Sequence, residues 1–422
     1  MKKIVLSIFS IIVLTATVST NAQEIEKQLV VENRVNDVKQ QDKPYVILIS
    51  ADGFRNDYVK KHDAKNLQNL AKNGVEAQAM YPSYPSITFP NHYTIVTGLY
   101  PSHHGLVGNQ MLDEATGDRY SLGNREAVIN PKWYGGTPIW NLAEQNKMLS
   151  ACYYWPGSEA PINGILPTYS YQYSEKSPID YRIQQVVDWL ELPEEKRPHL
   201  ITFYFPEVDH AGHSFGPDAP ETKKAVQFVD QSIKKLNDEV EKTGIKVNFV
   251  FVSDHGMTRI DDENPLRLPI EIDESNVQVV MNGSYVSLFV KDKKDVPTIY
   301  KQLKAVQNDK FEVYKTTNVP AKYHFSAKDD RYGRLGEIIL IAHAPNYFSN
   351  RNAPKGSHGF FVKETPEMKA TFMAWGPDFV NGKVIKPFSN VQIYPMLAQL
   401  LGLPITEKID GTKQLANKIL KK

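Results

Sequence analysis

Three unbroken apolar runs constrain this chain most, because each hands an aspartate to the backbone just as it ends. YVILIS (45–50) runs into Ala51-Asp52-Gly53, and HLITFYF (199–205) into Pro206-Glu207-Val208-Asp209. VNFVFVS (247–253) runs straight into Asp254-His255-Gly256. Short, β-branched runs without polar alternation read as strands buried on both faces. MLSACYYW and EIILIAHA have the same character. Between them lie helix signals: Thr137-Pro138 before IWNLAEQN, Ser177-Pro178 before IDYRIQQVVDWLEL, and TKKAVQFVDQSIKKLNDEVEKTG closing on Gly244. Buried strands alternating with helices predict an α/β fold, with a largely parallel sheet flanked by helices on both faces. VQVVMNGSYVSLFV reads as a hairpin turning at Asn282-Gly283. Residues of about 260 to 350 read as a small inserted lid or subdomain, in which DDENP (261–265) is a solvated turn.

In such sheets ligands bind in the crevice beyond the carboxyl ends of the strands. A single aspartate after a strand is usually a turn residue or helix cap. Three of them, two with histidines close by, are hard to explain as turns. Asp209 is followed four residues on by His213, so one helical turn puts both side chains on one face and points His210 elsewhere. KGSHGF adds His358 from a glycine-flanked loop. Two cation sites can be assembled. Asp52, Asp254 and His255 form one, with Thr88 as fourth ligand; Asp209, His213 and His358 form the other, with a position open to substrate. Two divalent cations about 4 Å apart can clamp the attacking and leaving oxygens of a phosphoryl displacement. The same chemistry accounts for PSITFPNHYTIVTG (85–98), where Thr88 opens a helix-compatible run after a proline-broken approach. Threonine is a poor nucleophile, but a coordinated hydroxyl is acidified as zinc-bound water is, from a pKa of about 15.7 to roughly 7. Two divalent ions against three aspartates and a Thr88 alkoxide leave the site neutral, which suits a singly charged phosphodiester.

Lys2 and Lys3 precede an apolar stretch, Ile4 to Val18, and then STNAQ with small residues suited to cleavage, so residues 1–22 read as a signal peptide. No membrane anchor is expected after cleavage, and the protein is expected to be exported, periplasmic or secreted. Residues 23–43 read as a charged lead-in outside the fold, and 44–422 as a single catalytic domain. A net charge of +1 gives no basis for a nucleic-acid scaffold. Cys152, the sole cysteine, can form no internal bridge and reads as buried and inert.

The chain resembles the nucleotide pyrophosphatase/phosphodiesterase family of the alkaline phosphatase superfamily. The resemblance is carried by ISADGFR, YPSITFPNHYTIVTGLYPSHHGLVGN, YWPGS, FPEVDHAGHSFGP, VSDHGM and KGSHGF. It implies an alkaline-phosphatase-like core, two metal ions (most simply zinc) and Thr88 as a nucleophile that forms a covalent phospho-threonine. It implies Asn109 as donor to a phosphate oxygen, Phe89 and Tyr204 as the sandwich around a nucleobase, and Tyr173 as a further wall of that pocket. The auxiliary modules of animal members are missing, so the chain is similar to a catalytic-domain-only bacterial type. The expected activity is hydrolysis of nucleotide phosphodiester or phosphoanhydride bonds to nucleoside 5′-monophosphates, the substrate being a small nucleotide or phosphodiester.

A threonine-type phosphomonoesterase would share Thr88 and the metals, but it brings lysine and arginine to a doubly charged phosphate, where YWPGSEA offers none. A phosphonoacetate-hydrolase-like enzyme, a choline-type diesterase and a non-catalytic metal-binding protein are the other readings. His103 and His104 have no chemistry assigned and read as packing at a helix end.

Overall fold

The computed structural model describes residues 26–421; the signal-peptide reading lies outside the described residues. Strands are numbered from Leu29–Val30 (β1), Tyr45–Ala51 (β2), Val75–Ala77 (β3), Ser150–Tyr153 (β4), Tyr169–Tyr171 (β5), Leu200–Phe205 (β6) and Val247–Val252 (β7). Then follow Val277–Met281 (β8), Tyr285–Val290 (β9), Phe311–Lys315 (β10), Ile338–Ala342 (β11), Phe372–Trp375 (β12) and Lys383–Ile385 (β13). The helices used below are Thr88–Thr97 (α1), Ile139–Gln145 (α2), Ile179–Leu190 (α3), Glu207–Phe215 (α4), Pro220–Lys242 (α5) and Ile393–Leu401 (α6).

The main sheet runs β1-β5-β4-β6-β2-β7-β12-β3-β13. Its middle strands β5, β4, β6, β2 and β7 are mutually parallel, while β12 pairs antiparallel to both β7 and β3. Alternate residues of each strand feed opposite cores. Val46, Leu48, Val250 and Val252 pack with α1, α2 and α6. Ile47, Ile49, Phe249 and Phe251 pack with α3 and α5 on the other face. Burial on both sides is why these strands read as continuous apolar runs. The helix signals hold, with α2 beginning at Ile139 and Pro138 as its cap, and Gly244 lying two residues past α5 at φ +73°.

Two expectations are corrected. EIILIAHA forms β11, which belongs to a separate antiparallel sheet, β8-β9-β11-β10, inside the inserted segment; run length marks a buried strand without saying which sheet receives it. The predicted hairpin is β8–β9 of that sheet. The lead-in also joins the fold. β1 pairs antiparallel with β5 at the sheet edge. Buried Asn36 donates to the carbonyls of Glu194 and Arg197 at 2.8 and 2.7 Å and accepts from Leu149 N–H. Arg34 pairs with buried Glu144 at 3.2 Å. These contacts are long-range in sequence, so no local pattern announces them.

Candidate metal and phosphoryl-transfer site

β6, β2 and β7 are adjacent in the sheet, with Ser50 level with both Tyr204 and Val252. Parallel neighbours lie under 5 Å apart, so their carboxyl ends deliver Asp209, Asp52 and Asp254 to one point. Gly53 makes the approach possible. Its φ is +66°, and a Cβ there would meet the Asp209 backbone at 3.0 Å. Its N–H donates to Asp254 Oδ1 at 3.1 Å.

The ligand atoms converge as two adjoining clusters. His255 Nε2 lies 2.8 Å from Asp254 Oδ2, 3.5 Å from Asp52 Oδ1 and 3.3 Å from Thr88 Oγ1. Asp209 Oδ1 lies 3.4 Å from His213 Nε2 and 3.6 Å from His358 Nε2, and those two nitrogens are 3.1 Å apart. His255 also falls within 4.8 Å of the Asp209 and His358 ligand atoms, and its ring stacks on His358 at 3.6 Å. Every member of the two sequence-derived sets is therefore brought together, with His255 bordering both.

Two observations test whether these residues suit cations. First, Asp52 Oδ1, Asp209 Oδ1 and Asp254 Oδ2 are buried and accept no hydrogen bond, a costly arrangement unless positive charge meets them. Second, each histidine donates Nδ1–H to a backbone carbonyl: His255 to Gly256, His213 to Gly356 and His358 to Ser86, at 2.8 to 2.9 Å. That fixes the tautomer and turns the Nε2 lone pair into the cluster, as metal-binding histidines are usually oriented. The electrostatics agree. Burial, reinforced by Asp254 and Asp209, pushes the Asp52 carboxyl well above the usual range. Burial also pushes Asp254 up, but the His255 and His92 imidazoles override it and hold its carboxyl well below that range. Burial, with His255 and His213 beside it, keeps His358 far below an ordinary imidazole. The aspartates and histidines thus form two adjoining clusters, each with the donor set to hold a divalent cation.

Thr88 is the first residue of α1, where the helix dipole favours an anion; Pro90 in the same turn has no N–H and Asn91 N–H is bonded to the Ile87 carbonyl at 3.0 Å. Asn109 Oδ1 accepts from Phe89 N–H at 3.3 Å, and Asn109 lines the cavity beside Thr88. That cavity, about 480 Å³, is lined by Phe89, Tyr154, Trp155, Tyr173 and Tyr204 and reaches Asp52, Thr88 and Asp209. All three aromatics expected at a base pocket are thus present on its walls. Tyr173 stands half-exposed at the rim, its hydroxyl donating to Glu175 at 3.0 Å. His210 is exposed, borders the same cavity and pairs with Glu175 at 3.6 Å.

Sequence reasoning missed three features. The Tyr204 hydroxyl donates to Asp52 Oδ2 at 2.6 Å, so this ring serves a metal ligand as well as the cavity. Fully buried His92 lies behind the site, its Nε2 accepting a hydrogen bond from Ser50 Oγ–H at 2.8 Å and its Nδ1–H donating to the Thr88 carbonyl at 3.0 Å. Its position four residues after Thr88 in a helical run is the signal that could have found it. Arg125 lines the cavity, bonded to Glu159. His103 and His104 do pack at a helix end: His103 pairs with Asp410 at 2.7 Å, and buried His104 accepts from Leu106 N–H. Cys152 is fully buried, which pushes its thiol far up.

Fold and site together define a hydrolase of the phosphodiesterase and nucleotide pyrophosphatase class. The chain belongs to the type I phosphodiesterase / nucleotide pyrophosphatase family, whose pattern matches residues 46–361. It is 36% identical over 378 residues to an uncharacterized pyrophosphatase/phosphodiesterase of Schizosaccharomyces pombe, covering 85% of this chain and 77% of that protein. Ectonucleotide pyrophosphatase/phosphodiesterase family member 1 of Mus musculus is 35% identical over 397 residues, 90% of this chain and 43% of the mouse protein. The chain therefore spans less than half of that animal relative. Murine ectonucleotide pyrophosphatase/phosphodiesterase 5, solved as an inactive threonine-to-alanine variant in complex with AMP, superposes with a TM-score of 0.82 at 26% identity. That match covers 90% of this chain and 100% of the other.

Proposed function

We propose that the protein is an exported two-metal phosphodiesterase that cleaves nucleotide diester or phosphoanhydride bonds, releasing a nucleoside 5′-monophosphate through a phospho-threonine. The observation that carries this reading is the hydroxyl of Thr88, set at a helix N-terminus within 3.3 Å of the aspartate–histidine cluster and at the mouth of an aromatic cavity. Asp52, Asp254 and His255 would hold one cation beside Thr88, and Asp209, His213 and His358 the other. Nitrogen and carboxylate ligands suit zinc. When bound, such ions supply positive charge that acidifies a nearby hydroxyl and offsets charge on phosphate.

This chain's own residues do the rest. Thr88 Oγ1 bonds to phosphorus as the bond to the leaving oxygen breaks, and water then displaces Thr88. The Asn109 amide and the Thr88 backbone N–H would donate to the phosphate oxygens where charge builds up, and the α1 dipole would favour that charge. Phe89, Tyr173 and Tyr204 present ring faces and edges to the base. The AMP held by the murine relative supports a nucleotide in this cavity. A monoesterase would need a spare cation for the second phosphate charge, whereas Arg125 is committed to Glu159.

The test compares bis-nitrophenyl phosphate, nitrophenyl phosphate and nitrophenyl-thymidine monophosphate, with and without chelator. Diester cleavage should dominate and vanish on chelation. Faster monoester cleavage, or activity that survives thorough chelation, would reject the reading.

A further inference from the structure

Three chain segments that build the site meet at one buried side chain. His92 follows Thr88 by four residues on α1 and has no exposed surface. Its Nε2 lies 2.8 Å from Ser50 Oγ, on β2 two residues before Asp52. Its Nδ1 lies 3.0 Å from the Thr88 carbonyl and faces Asp254 Oδ2, past the end of β7, at 3.4 Å. Burial holds the imidazole below its ordinary pKa, so the ring is neutral and carries one proton. A carbonyl and a carboxylate can only accept, which places that proton on Nδ1 and leaves the Nε2 lone pair to Ser50 Oγ–H.

The ring also packs. It stands edge-on to Trp155 and Tyr204, with centroids 5.3 and 5.2 Å away, and the His92 carbonyl accepts from Trp155 Nε1–H at 3.3 Å. A phenyl ring would serve that packing equally well. It would strand the buried Ser50 Oγ–H and remove the donor that stands between the first turn of α1 and Asp254. The two polar contacts therefore carry the argument. One holds the backbone of the residue whose hydroxyl lies 3.3 Å from His255 Nε2. The other faces a carboxylate oxygen that has no hydrogen-bond partner.

Resting on the function proposed above, we propose that His92 is a positioning residue whose Nδ1–H ties the start of α1 to Asp254 and so sets the Thr88 hydroxyl against the Asp52–Asp254–His255 cluster. Ser50 keeps the imidazole in the tautomer that this requires. Thr88 is gripped through its own carbonyl, so a displaced imidazole displaces the nucleophile with it, and a misplacement of about 1 Å can cost about a hundredfold in rate.

His92→Asn and His92→Gln separate the hydrogen bond from the packing. The asparagine amide N–H sits where Nδ1 sits; the glutamine amide reaches the place of Nε2 and fills more of the ring's volume. Both are assayed at saturating zinc on nitrophenyl-thymidine monophosphate and bis-nitrophenyl phosphate. His92→Asn should keep a kcat at least about tenfold above His92→Gln on both substrates, the size of a lost hydrogen bond to a charged or reacting group, with KM altered alike in the two variants. Equal kcat values, or a faster His92→Gln, would assign the residue to packing and overturn the inference while leaving the proposed function intact. A measurement on the unaltered side chain does not depend on either variant folding. The 15N spectrum of histidine-labelled wild type should show His92 protonated at Nδ1, and Ser50→Ala should mix the tautomers and lower kcat. A wild-type His92 protonated at Nε2 overturns the inference, and a wild-type protein inert toward both substrates overturns the proposed function with it.

Discussion

Tyr204→Phe separates two jobs that one side chain holds in this structure. The ring lines the aromatic cavity, while the hydroxyl donates to Asp52 Oδ2 at 2.6 Å in a fully buried setting. Phenylalanine keeps the ring and removes the donor. Asp52 Oδ1 already lacks a hydrogen bond, so the change leaves both oxygens of a buried carboxylate unsupported. Hydrogen bonds to charged groups contribute about 1.5–3 kcal/mol, and outer partners of metal ligands typically set 10- to 100-fold in affinity. The two magnitudes agree, since about 1.4 kcal/mol is tenfold. Burial with the neighbouring Asp254 and Asp209 already holds Asp52 high, and the Tyr204 hydrogen bond opposes that rise. Its loss moves the carboxyl further up, so metal binding should require a higher pH. The assay is zinc titration against a chromophoric chelator at several pH values. Tyr204→Phe should weaken binding at least tenfold and shift its pH midpoint upward, with KM for nitrophenyl-thymidine monophosphate little changed at saturating metal. Tyr204→Leu should raise that KM as well. Zinc affinity within twofold of wild type in Tyr204→Phe would refute the orienting role of the hydroxyl.

Thr88→Ala should abolish turnover with both zinc equivalents retained by elemental analysis; wild-type-like rates would contradict nucleophilic catalysis. Asn109→Ala should raise the barrier by about 3 kcal/mol, and Asn109→Asp, which keeps an acceptor for Phe89 N–H but adds negative charge, should do no better; kcat measurements on both decide. Burial brings the His104 imidazole from 6.5 down to about 3. The unfolded chain therefore takes up a proton that the folded one refuses, and stability present above about pH 6.5 is lost as the pH falls toward 3, by roughly 5 kcal/mol over the window. In urea unfolding from pH 7 to pH 4, His104→Gln should show a shallower loss than wild type; parallel slopes would contradict this.

The parallel core and the converging aspartates were legible because they are local facts: a β-branched run, its length and the residue that follows it. The i,i+4 spacing of Asp209 and His213 was legible for the same reason, α4 being a regular helix. What was not legible depends on contacts between distant segments. EIILIAHA names a strand, but only packing of the insert decides that it joins β9 and β10. The lead-in carries no core face of its own, yet Asn36 bridges segments more than a hundred residues away. The Tyr204 hydroxyl was hidden because strand register, not sequence spacing, sets β6 against β2.

The central claim is that Thr88 takes the phosphorus before water does. The most direct test is the stereochemical course at phosphorus, using a chiral phosphorothioate diester hydrolysed in isotopically labelled water. Two in-line displacements, through Thr88 and then water, predict net retention of configuration. Net inversion would mean that water attacks in a single step, and would contradict the account.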